Sequence, residues 1–291
     1  MPELPEVEIT RQRIEPLLVG RKIERVDTTG DHYFFITPPS TLKRALIART
    51  AVGLYRRGKY LVATLDDGRR LLLHLGMTGQ LFSSAAASVR LLSATARASL
   101  APEEQRRFEP DAHTHLCLHF ADGGESVFFR DVRKFGKVQL IGRDDTNERL
   151  DRLGIDALEA TGDLLFAASR KRRVASKALL LDQTVLAGVG NIYADEALFL
   201  AGVRPGRRAA RLTRRECDAL AEGVVRVLRR SIETGGSSIS DYVAPDGSDG
   251  AYQDERRVYA RTGEPCHACG TPIKRRVIAQ RSSHYCPECQ R

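Results

Sequence analysis

No apolar run in this 291-residue chain approaches the length of a membrane-spanning helix, and the N-terminus lacks the basic-then-apolar order of a secretory signal. A cytoplasmic protein without a membrane partner is therefore expected. Acidic residues are in deficit, with 37 Asp and Glu against 46 Lys and Arg, a formal charge of +9. That balance favours polyanion binding and says nothing about fold. A merely solvated basic surface would give the same total. The basic residues cluster, however, at Arg170-Lys-Arg-Arg173, between Arg204 and Arg215, and in the last thirty-odd positions. Cysteine is scarce before the C-terminus. Cys117, in a strand-like run, and Cys217, in a helix-like run, read as small core residues that suit a reducing compartment.

What is present is concentrated at the two ends. Cys266-His-Ala-Cys269 and Cys286-Pro-Glu-Cys289 are separated by sixteen residues, with Lys274, Arg275, Arg276 and Arg281 between them. Two C-x2-C knuckles at this spacing match a four-cysteine structural zinc site, one ion per chain, closing a β-hairpin too small to fold on its own core. Two disulfides or unrelated thiols are the rival readings. A metal hairpin studded with arginines points at phosphate, and so at nucleic acid.

At the other end, Met1 precedes Pro2, and a residue this small normally permits removal of the initiator. The first group would then be a secondary amine with a pKa of about 7.7 to 8.0, partly neutral and nucleophilic near pH 7. Attack on a sugar C1′ would give an iminium directly. The plain reading is helix initiation: Pro5 suits a first turn, Glu3 and Glu6 suit its positive end, and Val7, Ile14 and Leu18 form an apolar stripe.

Between residues 20 and 150 short apolar runs alternate with Asp-Gly turns: Lys59 to Leu65, Arg70 to Leu75, His115 to Phe120, Ser126 to Phe129 and Lys137 to Ile141. They predict an antiparallel sandwich or barrel entered by one helix. The stretch from Ser83 to Leu100, rich in Ala, Ser and Arg, has no strand period and reads as a surface insertion. His113 and His115, two apart, would project to one face of a strand, where a metal or core role is as good a reading as a DNA contact. After about Gly154 the period becomes helical. Thr213-Arg-Arg-Glu216 is a capping box opening a helix that Gly235-Gly236 closes. Gly188-Val-Gly-Asn-Ile-Tyr-Ala-Asp-Glu196 is either a turn presenting N–H groups and the Asn191 amide to a phosphate or a plain packing corner.

Taken in order, Met1-Pro-Glu-Leu-Pro-Glu-Val-Glu8, Arg57-Gly-Lys-Tyr60, His74-Leu-Gly-Met-Thr-Gly79, Arg133-Lys-Phe-Gly136, Gly188 to Glu196 and the cysteine tail with Ala279-Gln-Arg281 resemble bacterial formamidopyrimidine-DNA glycosylase, within the endonuclease VIII family. The likeness runs from residue 2 to residue 289. It implies an α+β chain of two domains. Residues 1–153 would be a catalytic antiparallel β-sandwich with an N-terminal helix and an insertion at about 83–112, and 154–235 a helix-two-turn-helix DNA-binding domain. Residues 236–254 would be a lesion-capping loop and 255–291 the zinc hairpin.

The resemblance further implies a bifunctional glycosylase and AP lyase acting on duplex DNA with oxidised bases or abasic sites, as a monomer, cytoplasmic and nucleoid-associated. Pro2 would be the Schiff-base nucleophile, Glu3 the proton donor, Glu6 its support, Lys59 the aid to β-elimination and Arg281 the phosphate grip that assists δ-elimination. Phosphate contacts would come from His113, Arg172, Lys177 and Asn191. Met77, Arg133 and Phe135 would form a wedge filling the gap left by a flipped nucleotide, although without the resemblance Met77 and Phe135 would read as core. Three departures stand out: Val132 where a proline is usual, Ala178 after Lys177 where a proline is frequent, and a longer insertion. The Pro-Glu-Leu-Pro-Glu start and the Gly235 to Gly250 run favour oxidised purines, 8-oxoguanine and formamidopyrimidines opposite cytosine. An endonuclease VIII-like activity on oxidised pyrimidines is the alternative, and a silent damaged-DNA-binding protein is disfavoured by the retained Pro2, Glu3 and Lys59.

Overall fold

The computed structural model describes residues 2–30, 32–86, 110–170, 172–238 and 242–291. Most of the expected insertion, and residues 239–241 of the expected capping loop, lie outside the described residues. The chain divides into two compact units, Met1–Asn147 with Thr234–Ala251, and Glu148–Glu233 with Tyr252–Arg291. Among the described residues no helix is long and apolar enough to cross a membrane.

The first unit begins with α1 (Leu4–Leu18), whose start follows from Pro5 in the first turn and a capping box in which the Glu3 N–H donates to Glu6 Oε2 at 2.9 Å. Two antiparallel four-stranded sheets follow. Strands β1 (Ile23–Thr28), β6 (Thr114–Phe120), β7 (Val127–Asp131) and β5 (Gly79–Ser83) form one in that spatial order. Strands β2 (Ala51–Arg57), β3 (Tyr60–Leu65), β4 (Arg70–His74) and β8 (Lys137–Ile141) form the other. A short helix, α2 (Pro39–Leu46), lies between β1 and β2 in the chain. The apolar faces of both sheets meet in one core with Val7, Ile14 and Leu18 of α1, the stripe expected from the sequence.

In the second unit, α3 (Glu148–Asp151), α4 (Gly162–Arg170), α5 (Ser176–Leu181), α6 (Asn191–Leu200) and α7 (Arg214–Glu233) precede the hairpin β11 (Lys274–Ile278) and β12 (Arg281–Tyr285). The two-residue strands β9 (Ile155–Asp156) and β10 (Leu186–Ala187) pair in parallel. Helix α7 starts as its capping box demands, with the Thr213 N–H donating to Glu216 Oε2 at 2.8 Å and the Glu216 N–H to Thr213 Oγ1 at 3.2 Å. Gly235 and Gly236, at φ 80° and 85°, turn the chain away from it.

All five expected strand runs are strands, while β1, β2, β5 and α2 were not expected. Cys117 and Cys217 are buried, and the Cys117 thiol is pushed up to about 11 by burial and by Asp27, which makes it inert. Only one of the two histidines lies within a strand. His113 sits in the turn before β6, half-buried, whereas His115 is fully buried, its Nε2 donating to the Asp131 carbonyl at 2.9 Å and its Nδ1 3.0 Å from the Thr29 hydroxyl. The pleat period does not reach back past the strand end.

Burial, with His32 and Lys134 nearby, holds His115 neutral below its ordinary pKa, against the pull of the Asp131 carbonyl. A depressed histidine contributes stability that is present above its unfolded pKa and is lost as pH falls through that value, because the unfolded chain takes up the proton first. Thermal unfolding from about pH 7.5 to about pH 5.5 should therefore show a falling Tm. His115→Gln should flatten that fall, and an equally steep decline in the variant would remove His115 as its source.

Candidate functional site

In the first unit, antiparallel pairing gathers three of the sequence motifs at one end of one sheet. Tyr60 pairs with His74 and His74 with Lys137, so the Arg57-to-Tyr60, His74-to-Gly79 and Arg133-to-Gly136 segments lie side by side. The rings of Tyr60 and His74 are 4.7 Å apart. Lys59 is half-buried in the two-residue turn between β2 and β3, where Gly58, at φ 57°, supplies the positive φ that such hairpin turns need at their first position. Arg56, just before that turn, donates its Nε–H to Glu8 Oε2 at 3.0 Å and so joins the hairpin to α1.

At the start of α1, Pro2 is buried and Glu3 and Glu6 are each only 2 % exposed. Glu6 faces two ways, accepting the Glu3 N–H on Oε2 and the Ser237 N–H on Oε1 at 3.0 Å. The Tyr242 hydroxyl donates to the Glu6 carbonyl at 3.2 Å, and burial together with Glu6 drives its pKa upward. Gly250 donates its N–H to Ser238 Oγ at 2.9 Å, and Arg13 pairs with Asp246. The stems of the segment expected to cap a lesion are thus fastened to each other and to α1.

Met77 and Phe135 are not core residues. They are 38 % and 44 % exposed, on neighbouring turns, and the guanidinium of exposed Arg133 lies 4.8 Å from the Phe135 ring centre.

In the second unit the expected residues separate into exposed and engaged. Arg281 is exposed at the tip of the β11–β12 hairpin, beside Ala279 and Gln280 at φ 50° and 58°, and Lys274, Arg275 and Arg276 line the same hairpin, all exposed. Asn191 opens α6 behind Gly190, with no side chain capping the helix start. Arg172 is partly exposed and 3.2 Å from Asp182. Lys177 is fully buried, its ammonium 2.7 Å from Asp195 Oδ1 and 2.7 Å from the Ser282 carbonyl. An ammonium so enclosed does not meet a phosphate; it ties α5 and α6 to the hairpin.

Sequence reasoning missed those ties. Asp195 also accepts the His284 N–H at 2.8 Å, and Glu196 accepts the N–H groups of Arg257, Val258 and Tyr259 at 2.8, 3.0 and 2.8 Å. Burial raises the Glu196 pKa against the pull of those three donors. Two adjacent acids inside an otherwise apolar helix were the available signal.

The four tail cysteines place their sulfurs within 4.8 Å of one another. Sγ separations of 3.9, 3.4 and 3.5 Å are too long for disulfides. They fit the spacing of about 3.8 Å that four thiolates at about 2.3 Å from a tetrahedral zinc would have.

A thiolate-closed basic hairpin beside a glycine-led helix start is the build of a zinc-finger nucleic-acid-binding protein. Family models sharpen this: the formamidopyrimidine-DNA glycosylase N-terminal domain matches residues 1–138, the H2TH domain of the same enzymes 153–243, and the zinc finger found in FPG and IleRS 263–291. Formamidopyrimidine-DNA glycosylase of Thioalkalivibrio sulfidiphilus is 43 % identical over 294 residues, covering 100 % of both chains. The crystal structure of the MutM (Fpg) protein from Thermus thermophilus matches with a TM-score of 0.83 at 38 % identity, over 99 % of this chain and 98 % of that one. A mutant of the Lactococcus lactis Fpg, in complex with a Fapy-dG-containing DNA, matches with a TM-score of 0.84 at 35 % identity over 100 % of both. The chain belongs to the formamidopyrimidine-DNA glycosylase family.

Two outcomes follow for the second unit. Cys266→Ala or Cys289→Ser should remove about one zinc per chain and weaken DNA binding more than it unfolds the first unit, measured by metal analysis beside a binding titration. Asp195→Ala should cost about 3–5 kcal/mol, because it strands the buried Lys177 ammonium; denaturant unfolding with an unchanged midpoint would refute the pairing.

Proposed function

We infer that the Pro2 amine performs the chemistry of this DNA glycosylase, which removes oxidised purines from duplex DNA in base excision repair and has the AP lyase activity typical of its family. The observation that supports this most is the buried pair Glu3 and Glu6 at the start of α1. With Met1 removed, the Pro2 nitrogen attacks C1′ of the damaged nucleoside, the N-glycosidic bond breaks, and the base leaves with a proton routed through Glu3. The Pro2 nitrogen gives up its proton and the C1′–O4′ bond opens, O4′ taking a proton routed through Glu3, so that an iminium forms on Pro2 and draws electrons from the sugar. Loss of the C2′ proton then expels the 3′ phosphate, with Lys59 on the hairpin turn assisting, and a second elimination expels the 5′ phosphate with Arg281 engaged. A single-nucleotide gap remains.

Glu6 holds the backbone of Glu3 on one oxygen and that of Ser237 on the other, so nucleophile and lesion-capping segment share one support. Phosphates are gripped by exposed Arg281, by Asn191 at the positive end of α6, by His113, and by Arg172 once it exchanges Asp182 for the DNA. Lys177 is left out of this set because it is buried. The four cysteines hold one zinc ion, which supplies a cross-link and no chemistry at the sugar. Met77, Arg133 and Phe135 fill the space vacated by the flipped nucleotide, which their exposure supports. The substrate is 8-oxoguanine or a formamidopyrimidine opposite cytosine. The protein works as a monomer in the cytoplasm, at the nucleoid.

Borohydride should fix one covalent adduct between DNA and the N-terminal peptide, and blocking that terminus with a retained Met1 or a tag should abolish it. Trapping through Lys59 in a blocked protein would sink the assignment.

A further inference from the structure

We propose that Asp131 is the positioning residue of the wedge, an assignment that rests on the reading of Met77, Arg133 and Phe135 given above. Asp131 is fully buried at the end of β7, where the chain leaves the sheet for the turn bearing Arg133 and Phe135. Donors from two turns converge on its carboxylate. The hydroxyl of Thr78, the residue after Met77, donates to Oδ1 at 2.5 Å. The Arg133 N–H is shared between that same Oδ1 at 3.3 Å and Thr78 Oγ1 at 3.2 Å. The Gly136 N–H donates to Oδ2 at 2.6 Å. One side chain therefore joins the β4–β5 turn to the β7–β8 turn, and every bond it makes falls on a residue that is, or is next to, a member of the wedge.

Two glycines make the approach close enough. A Cβ on Gly76, whose φ is 64°, would collide with Gly136 N and with the Phe135 carbonyl carbon, and one on Gly136 would lie 2.9 Å from Asp131 Oδ2. Behind the carboxylate, His115 Nε2 donates to the Asp131 carbonyl at 2.9 Å. An ionised carboxylate accepts on both oxygens, whereas an asparagine would turn an NH2 group toward an N–H. Rigidity is the function such a knot serves. A side chain that must hold a base gap open against restacking has to be fixed before the DNA arrives.

Asp131→Asn and Thr78→Val test this in single-turnover excision of 8-oxoguanine from a matched duplex and from an unpaired bulge. Asp131→Asn should slow the matched duplex by about 10- to 100-fold, the scale of a lost charge-assisted bond, and the bulge far less, because no stack has to be opened there. Thr78→Val, which removes only a hydroxyl, should slow the matched duplex by about 3- to 10-fold and stays decisive if Asp131→Asn fails to fold. In a Met77→Ala/Phe135→Ala background, either change should add less than about twofold, since nothing is left to position. If the Met77→Ala/Phe135→Ala protein excises from the matched duplex at the parental rate, the wedge reading itself fails. If that protein is slow but Asp131→Asn and Thr78→Val are not, or if they slow both duplexes and both backgrounds alike, the Asp131 assignment is overturned.

Discussion

Buried carboxylates that accept main-chain N–H groups hold the functional segments of this protein in place. Glu6 takes the amides of Glu3 and Ser237, Asp131 those of Arg133 and Gly136, Asp195 that of His284, and Glu196 those of residues 257 to 259. A carboxylate withdrawn from water is costly unless its oxygens are satisfied, so each of these acids constrains the loop it bonds as strictly as the loop constrains it. Each such bond is worth about 1.5–3 kcal/mol and leaves an orphaned charge when broken. Regular strands and helices need no such device. The turns and stems that bear the residues assigned to DNA lack a ladder of their own and depend on it, and the β11–β12 hairpin, which has a ladder, is anchored by it to the helices.

This arrangement separates holding from touching. The acids are buried, while the groups assigned to DNA stand on the surface beside them: Arg133 and Phe135 next to Asp131, Arg281 on the hairpin whose strand β12 is tied to Asp195 through His284. Lys177 belongs with the holders although it is basic and lies next to the arginine-rich stretch 170–173. Charge type alone does not sort the two classes, because a lysine paired with Asp195 in the interior is as much a structural tie as the acid it faces.

Local patterns were legible wherever they obey a short period. The α1 stripe, the Thr213–Glu216 capping box and five strands appear where alternation, caps and turn residues put them, because those signals act over three or four residues. Strands β1, β2 and β5 and helix α2 were not expected. They have less regular apolar patterns and acquire their state from the sheets and core they join. His113 and His115 illustrate the same limit. Two residues of spacing imply one face only inside a strand, and β6 begins between them.

The sequence by itself determined the chemistry available: a secondary amine after Met1, two acids at a helix start, a lysine in a glycine turn, and four thiols spaced for one zinc ion. It also determined the family, since ordered motifs from one end to the other are a property of the chain alone. Tertiary structure decided which side chains are presented and which are consumed. Met77 and Phe135 are apolar yet exposed, Lys177 is charged yet enclosed, and Asp131, which no motif singled out, joins two turns that are more than fifty residues apart in the chain. Burial and hydrogen-bond partners depend on what long-range pairing brings alongside, and no local period encodes that.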